Sequence, residues 1–340
     1  MSKSQPLFLR PYRAPAWLPG GHLQTLYPAL ALRRGGPAFR RETWQTPDAD
    51  QIVVDWMDAA DAQAPVLVLF HGLEGSSASH YSQSLFAAAR ALGWHGVVPH
   101  FRSCGEVENL KLRAYHAGDT DEIDWILARI QAAHPGVPIF AAGVSLGGNA
   151  LLKWLGEQGA AAHQRIQAGA AVCAPLDLAA CGAVLDTGLN RHIYTREFLR
   201  TLKAKMLHKL TLHGDTQIDQ AEVRRATTLR AFDNLVTAPI HGFRDVDHYW
   251  QSSSSKPHLI NICVPTLVIN ARNDPFVPAA SLPTQAEVST AVTLLQPEHG
   301  GHVGFASGGF TANNVPGRLD WLPGTLLDFF KSNLPTQEYA

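Results

Sequence analysis

The sequence predicts an α/β protein with a mostly parallel central sheet covered by helices on both faces. Two observations predict it. Short apolar runs without alternation recur along the chain, as in strands buried on both faces, and amphipathic helical stretches separate them. A third observation adds a cap. From about 176 to 256 the alternation stops and only helical patterns remain, as expected of an insertion over the strand ends where such sheets place their ligands.

The elements follow in order. Residues 1–45 are rich in Pro, Gly and Arg and lack a period, so they read as an extended arm packed over the body. "QIVVDWMD" (51–58) alternates like a half-exposed strand, whereas "PVLVLF" (65–70) and "GVVPHF" (96–101) read as buried strands. "GDTDEIDWILARIQAAH" (118–134) carries acids in its first turn and Ile123, Ile126, Leu127 and Ile130 at helical spacing. "VPIFAAG", "AGAAVCAP", "VPTLVIN" and "AVTLLQ" supply four more strands. "TREFLRTLKAKMLHKL" and "AEVRRATTLRAFDNL" read as two helices of the insertion. The expected organisation is an arm (1–45), a core (46–175 and 257–340) and a helical cap (176–256).

Composition excludes several classes. The 340 residues are 46% hydrophobic and 17% charged, enough for a full core. A net charge of −1 argues against nucleic-acid binding. Four cysteines, at 104, 173, 181 and 263, form no CxxC pair and read as reduced thiols. The first residues hold Arg and Pro where a signal peptide needs an apolar core, and no run nears the ~20 residues that span a bilayer. A cytoplasmic protein is expected.

The chemistry centres on "AAGVSLGGNALLKW" (141–154), where Ser145 stands between a strand and a helix with glycine two residues to either side. A strand, G-x-S-x-G and a helix together make a nucleophile elbow, a turn so sharp that only glycine fits at the flanking positions. A glycine-rich turn with an incidental serine is the plainer alternative. A serine needs a base, and the base an orienting acid, in the chain order Ser, acid, His for this elbow. Beyond residue 274 only His299 and His302 remain, in "PEHGGHVGF". His302 is preferred, because Gly300 and Gly301 let its loop bend back toward Ser145. "VPTLVINARNDPFVP" offers Asp274 as the acid, although an Asp before Pro also serves as a plain turn-former. An H-x-x-H zinc pair is discounted, since it lacks a zincin's Glu and helix, and neither metal nor cofactor is expected. Two backbone N–H groups should face the oxyanion: Leu146, after the nucleophile, and Leu73, in "VLVLFHGLEGSS". His71 in that stretch reads as a core histidine bonded to backbone, because only the main chain need contact substrate.

The chain resembles the YheT-like branch of the α/β-hydrolase fold, related to the ABHD-type lipid hydrolases. The resemblance rests on "GGHLQTLYP", "FHGLEGSS", "AYHAGDTDEIDWIL", "GVSLGGNALLKWL", "AFDNLVTAPIHGF" followed by "DHYW", "NARNDPFVP" and "EHGGHVGF". It implies an α/β-hydrolase fold, Ser145, Asp274 and His302 as a triad, and esterase or lipase-like action on short- to medium-chain acyl esters. The alternatives are an acyltransferase that replaces water by an alcohol, and an inactive ligand-binding protein of the same fold.

On the cap, Leu199, Leu202, Met206 and Leu210 form a stripe expected to roof an acyl pocket. Arg200, Lys203 and Lys209 read as a solvated basic face. The alternative is weak contact with an anionic membrane surface or a phosphate-bearing substrate.

Overall fold

The computed structural model describes residues 10–32, 35–214, 217–310 and 315–335. The expectations for residues 1–9, 33–34, 215–216, 311–314 and 336–340 lie outside the described residues.

Eight strands form one sheet: β1 (Arg40–Gln45), β2 (Gln51–Met57), β3 (Val66–Phe70), β4 (His95–Pro99), β5 (Ile139–Val144), β6 (Ala168–Val172), β7 (Thr266–Ile269) and β8 (Val292–Leu295). Their spatial order is β1-β2-β4-β3-β5-β6-β7-β8. The β1–β2 and β2–β4 pairs are antiparallel and every other pair is parallel. β3 shows why the central runs lack alternation. Val66, Val68 and Phe70 face one core while Leu67 and Leu69 face the other. Helices α3 (Thr120–Ala133) and α4 (Leu146–Gln158) cover the first face with Ile123, Ile126, Leu127 and Trp154. Helices α2 (His80–Ala91) and α9 (Trp321–Ser332) cover the second with Leu85, Phe86, Leu326 and Phe330.

Three expectations are corrected. The first concerns the arm, which is not extended throughout: it holds helix α1 (Gly21–Ala31) and strand β1. β1 is a charged edge strand in which only Trp44 is buried, so it carries no apolar run. The second concerns β2, which is buried along nearly its whole length rather than half-exposed. Its Asp55 turns inward because Arg41 pairs with it (2.7 Å) and His100 and Ser77 bond it (2.8 and 2.5 Å). The third concerns "AEVRRATTLRAFDNL", which is not one helix. α7 (Gln220–Arg225) stops at Ala226, and a new turn, Leu229–Phe232, starts where Thr228 Oγ1 accepts the Ala231 N–H.

Between β6 and β7 every described element is helical: α5 (Leu178–Leu185), α6 (Arg196–His213), α7 and α8 (Val246–Ser253), with shorter turns between them. This insertion has its own core, where Leu199, Met206 and Leu210 of α6 meet Val223, Phe232 and Val236. Among the described residues no helix is long and apolar enough to cross a membrane.

Candidate active site

Ser145 stands at the carboxyl end of β5, the strand between β3 and β6, with φ 52° and ψ −121°. That is a left-handed conformation a non-glycine residue adopts at a cost. The flanking glycines permit it. A Cβ on Gly143 would lie 2.5 Å from the Gly147 carbonyl oxygen, and one on Gly147 would lie 2.5 Å from that of His71. Each glycine therefore lets backbone pass where any side chain would collide. The Ser145 N–H donates to Val172 O of β6 (2.8 Å), which anchors the turn to the sheet.

The loops after β7 and β8 bring the other two predicted residues to this serine. His302 Nε2 lies 3.0 Å from Ser145 Oγ, and His302 Nδ1 lies 2.8 Å from Asp274 Oδ2. Asp274 is buried, and its Oδ1 accepts the Phe276 N–H at 2.7 Å. The Phe276 ring stacks on the His302 imidazole at 4.0 Å between centroids. Gly300 (φ 148°) and Gly301 (φ 61°) take the backbone conformations that turn the loop back. His299 is not brought to the serine. Its side chain is exposed and its Nδ1 meets Asn273 Nδ2 at 3.4 Å, so the two histidines have separate partners.

Leu73 and Leu146 both line the pocket that contains Ser145 and His302. The Leu146 amide opens α4 and has no intrahelical acceptor. His71 is a core histidine bonded to backbone. It is fully buried, its Nε2 accepts the Phe101 N–H (3.1 Å), and its Nδ1 therefore carries the proton and donates to Gly72 O (2.7 Å). Burial, then the neighbouring His100, lowers its pKa to about 3, so it is neutral.

The pocket above Ser145 is mostly apolar, with Leu178, Leu185, Phe198, Leu202 and Leu229 contributed by the insertion. A second chamber shares Leu73, Leu146, Leu202, Asp233 and Tyr249 with it and adds polar groups, among them Glu74, Lys205, His116 and His241. The expected stripe on α6 thus divides. Leu202 faces both chambers, Met206 faces the second, and Leu199 and Leu210 pack inside the insertion. The expected basic face is also corrected. Lys209 is 2% exposed, because its ammonium donates to Asn109 Oδ1, Lys111 O (2.7 Å) and Arg113 O (3.3 Å) in the loop before α3. Three protein oxygens replace its water. Lys203 bonds Arg224 O and Ala226 O (2.8 and 3.0 Å), which leaves only Arg200 of the three turned to solvent, beside Glu197.

A family model described as the α/β hydrolase fold matches residues 65–308, from β3 through the His302 loop. The chain belongs to the α/β hydrolase family. Within it the chain falls in the YheT-like branch. It is 39% identical to YheT of Escherichia coli (strain K12) over 298 residues, covering 84% of each chain. It is 28% identical to phospholipase ABHD3 of Homo sapiens over 311 residues, covering 89% of this chain and 75% of that protein. Among solved structures, the fold resembles Est1E from Butyrivibrio proteoclasticus, with TM-score 0.53, 13% identity and coverage of 86% and 98% of the two chains.

Several residues of this α/β hydrolase's site escape sequence reading. Phe276 follows Asp274 by two residues and could have been noticed as the only aromatic in "NDPFVP". Cys173 carries no local signal. Its Sγ accepts the Val303 N–H (3.2 Å) beside His302, and burial pushes its thiol pKa well up, so it acts as a neutral peg. Val303 and Phe305 also hold positive φ (59° and 40°), conformations imposed by the fold around them.

Proposed function

We propose that this α/β hydrolase is a serine hydrolase of carboxylic esters that works through an acyl-enzyme on Ser145. The observation that carries the reading is the continuous line from Ser145 Oγ to His302 Nε2 (3.0 Å) and from His302 Nδ1 to Asp274 Oδ2 (2.8 Å), at the floor of an apolar pocket. His302 Nε2 takes the proton as Ser145 Oγ attacks the ester carbonyl, and Asp274 holds the tautomer and steadies the imidazolium. The amides of Leu73 and Leu146 bond the tetrahedral oxyanion. His302 then returns its proton to the leaving alcohol, and water releases the acid by the reverse sequence.

The insertion, residues 176–256, serves as a lid on a core formed by 46–175 and 257–340. The acyl chain, short to medium in length, lies among Leu178, Leu185, Phe198 and Leu202. The relative named a phospholipase supports an acyl ester, including lipid esters, as the substrate class. The free thiols at Cys104, Cys173, Cys181 and Cys263 support a reducing compartment, the cytoplasm. A panel of p-nitrophenyl esters tests the reading. Turnover should rise with acyl length and then fall, and no turnover on any member would overturn it.

A further inference from the structure

Helix α1 lies outside the sheet, yet two of its side chains hold the loops that carry Asp274 and His302. Gln24 is buried, 2% exposed. Its Oε1 accepts from Asn273 Nδ2 and from the Gly300 N–H, both at 2.9 Å, while its Nε2 donates to Leu18 O at 2.8 Å. The Gly300 N–H can only donate, so the amide has a single orientation. One oxygen therefore ties the residue before Asp274 to a residue two before His302. Asn273 closes the ring, because its Oδ1 accepts the Gly301 N–H at 3.0 Å. Thr25 reaches further: its Oγ1 accepts the N–H of His302 itself (2.8 Å) and donates to Gly21 O (2.7 Å). Backbone contact backs these bonds. A Cβ on Gly301 would lie 2.7 Å from Gly21 O and 2.8 Å from the Thr25 nitrogen.

We propose that Gln24 and Thr25 are positioning residues for His302, which makes α1 part of the apparatus that sets the base against Ser145. The inference rests on the Ser145, His302 and Asp274 reading given above. The His302 loop carries strain, since Val303 and Phe305 hold positive φ, and its internal Phe305 N–H to Gly300 O bond (3.0 Å) does not tie it to the rest of the fold. Reacting groups must stay within ~0.5 Å of their productive geometry. A shift of ~1 Å costs ~10²-fold in rate. The hydrogen bonds from α1 to the Gly300 and His302 N–H groups oppose such a shift, with Asn273 holding the Gly301 N–H between them.

The test uses the full chain with Thr25→Val, which keeps the shape but removes the acceptor, Gln24→Met, and Thr25→Ser as the conservative variant. A fluorophosphonate counts competent sites, and kcat is expressed per titrated site. Thr25→Val and Gln24→Met should lose about 10- to 100-fold in kcat and in labelling rate, with KM little changed, whereas Thr25→Ser stays within about two-fold of the parent. A purely structural role would lower the number of sites and leave kcat per site unchanged, which overturns the proposal. If Thr25→Val does not fold, Gln24→Met decides; if neither folds, α1 is a stability element and the proposal fails. A parent chain that is not labelled at Ser145 would overturn the functional reading itself, a separate outcome.

Discussion

Lys205 of α6 and Glu74 of the loop after β3 form an ion pair at 2.8 Å that joins the helical insertion to the strand end beside Ser145. Glu74 follows Leu73, one of the two proposed oxyanion donors, and holds φ at 56°. The Tyr115 hydroxyl fixes it from the other side, accepting the Glu74 N–H and donating to Oε1, both at 2.9 Å. The insertion thus helps set the peptide that presents the Leu73 N–H. Lys205→Met and Glu74→Gly, the latter tolerant of positive φ, should each lower kcat on a short ester by about ten-fold. Both variants break the ion pair, and Glu74→Gly also removes the Tyr115 bond, so the double variant should be no worse than Glu74→Gly alone. Effects that multiply in this cycle would show that the two residues act separately.

The two downstream histidines should differ sharply. His302→Ala should cost about 10³- to 10⁴-fold or more in kcat, and Asp274→Asn about 10⁴-fold through the wrong tautomer. His299→Ala, with an exposed ring and one long contact to Asn273, should leave kcat within about two-fold of the parent. Steady-state kinetics on one ester decides this, and reversed severities would move the base to His299.

Leu199 and Leu202 lie three residues apart on α6 and should report different things. Leu199 sits inside the insertion's core, so Leu199→Ala should cost about 2–5 kcal/mol of stability and leave the acyl-length profile in place. Leu202 lines the pocket with Ser145. Each methylene buried there is worth ~0.8 kcal/mol, a few-fold in kcat/KM, until the pocket is full. Leu202→Ala should shift the optimum to longer chains and barely change acetyl ester turnover. An identical profile in Leu202→Ala would place the acyl chain elsewhere.

Stability should depend on pH through two neutral histidines, the buried His71 and the half-buried His241. Burial, then His100, lowers the pKa of His71 to about 3, and burial, then His116, does the same to His241. An unfolded histidine titrates near 6.5, so between about pH 6.5 and about pH 3 the unfolded chain binds more protons. Stability therefore rises with pH across that window and is lost as acid is added. His241→Phe removes a ring whose Nε2 has no hydrogen-bond partner among the described residues and should narrow the difference between urea midpoints at about pH 7.5 and about pH 5. An unchanged difference would assign the pH dependence to other groups.

What the sequence could reveal was whatever a local pattern records. β3, β5, β6 and β7 are legible because both their faces are apolar, and the Ser145 elbow because Gly143 and Gly147 are forced by backbone contact. α1 is not, since it opens on Gly21, contains Pro28, and buries Gln24 and Thr25 where an apolar stripe would be sought. Its burial comes from hydrogen bonds to residues more than 240 positions away, which no periodicity encodes. Lys209 misleads for the same reason. A lysine on a helix reads as solvated until the fold supplies three oxygens for its ammonium.

The proposed nucleophile is Ser145, with His302 Nε2 3.0 Å from its Oγ. Fluorophosphonate labelling read by intact mass and peptide mapping tests it most directly. One adduct is expected, on the peptide containing Ser145, and none on a Ser145→Ala chain that keeps the parent's circular dichroism and no longer hydrolyses esters. An adduct at another residue, or ester turnover near the parent's in Ser145→Ala, would contradict it.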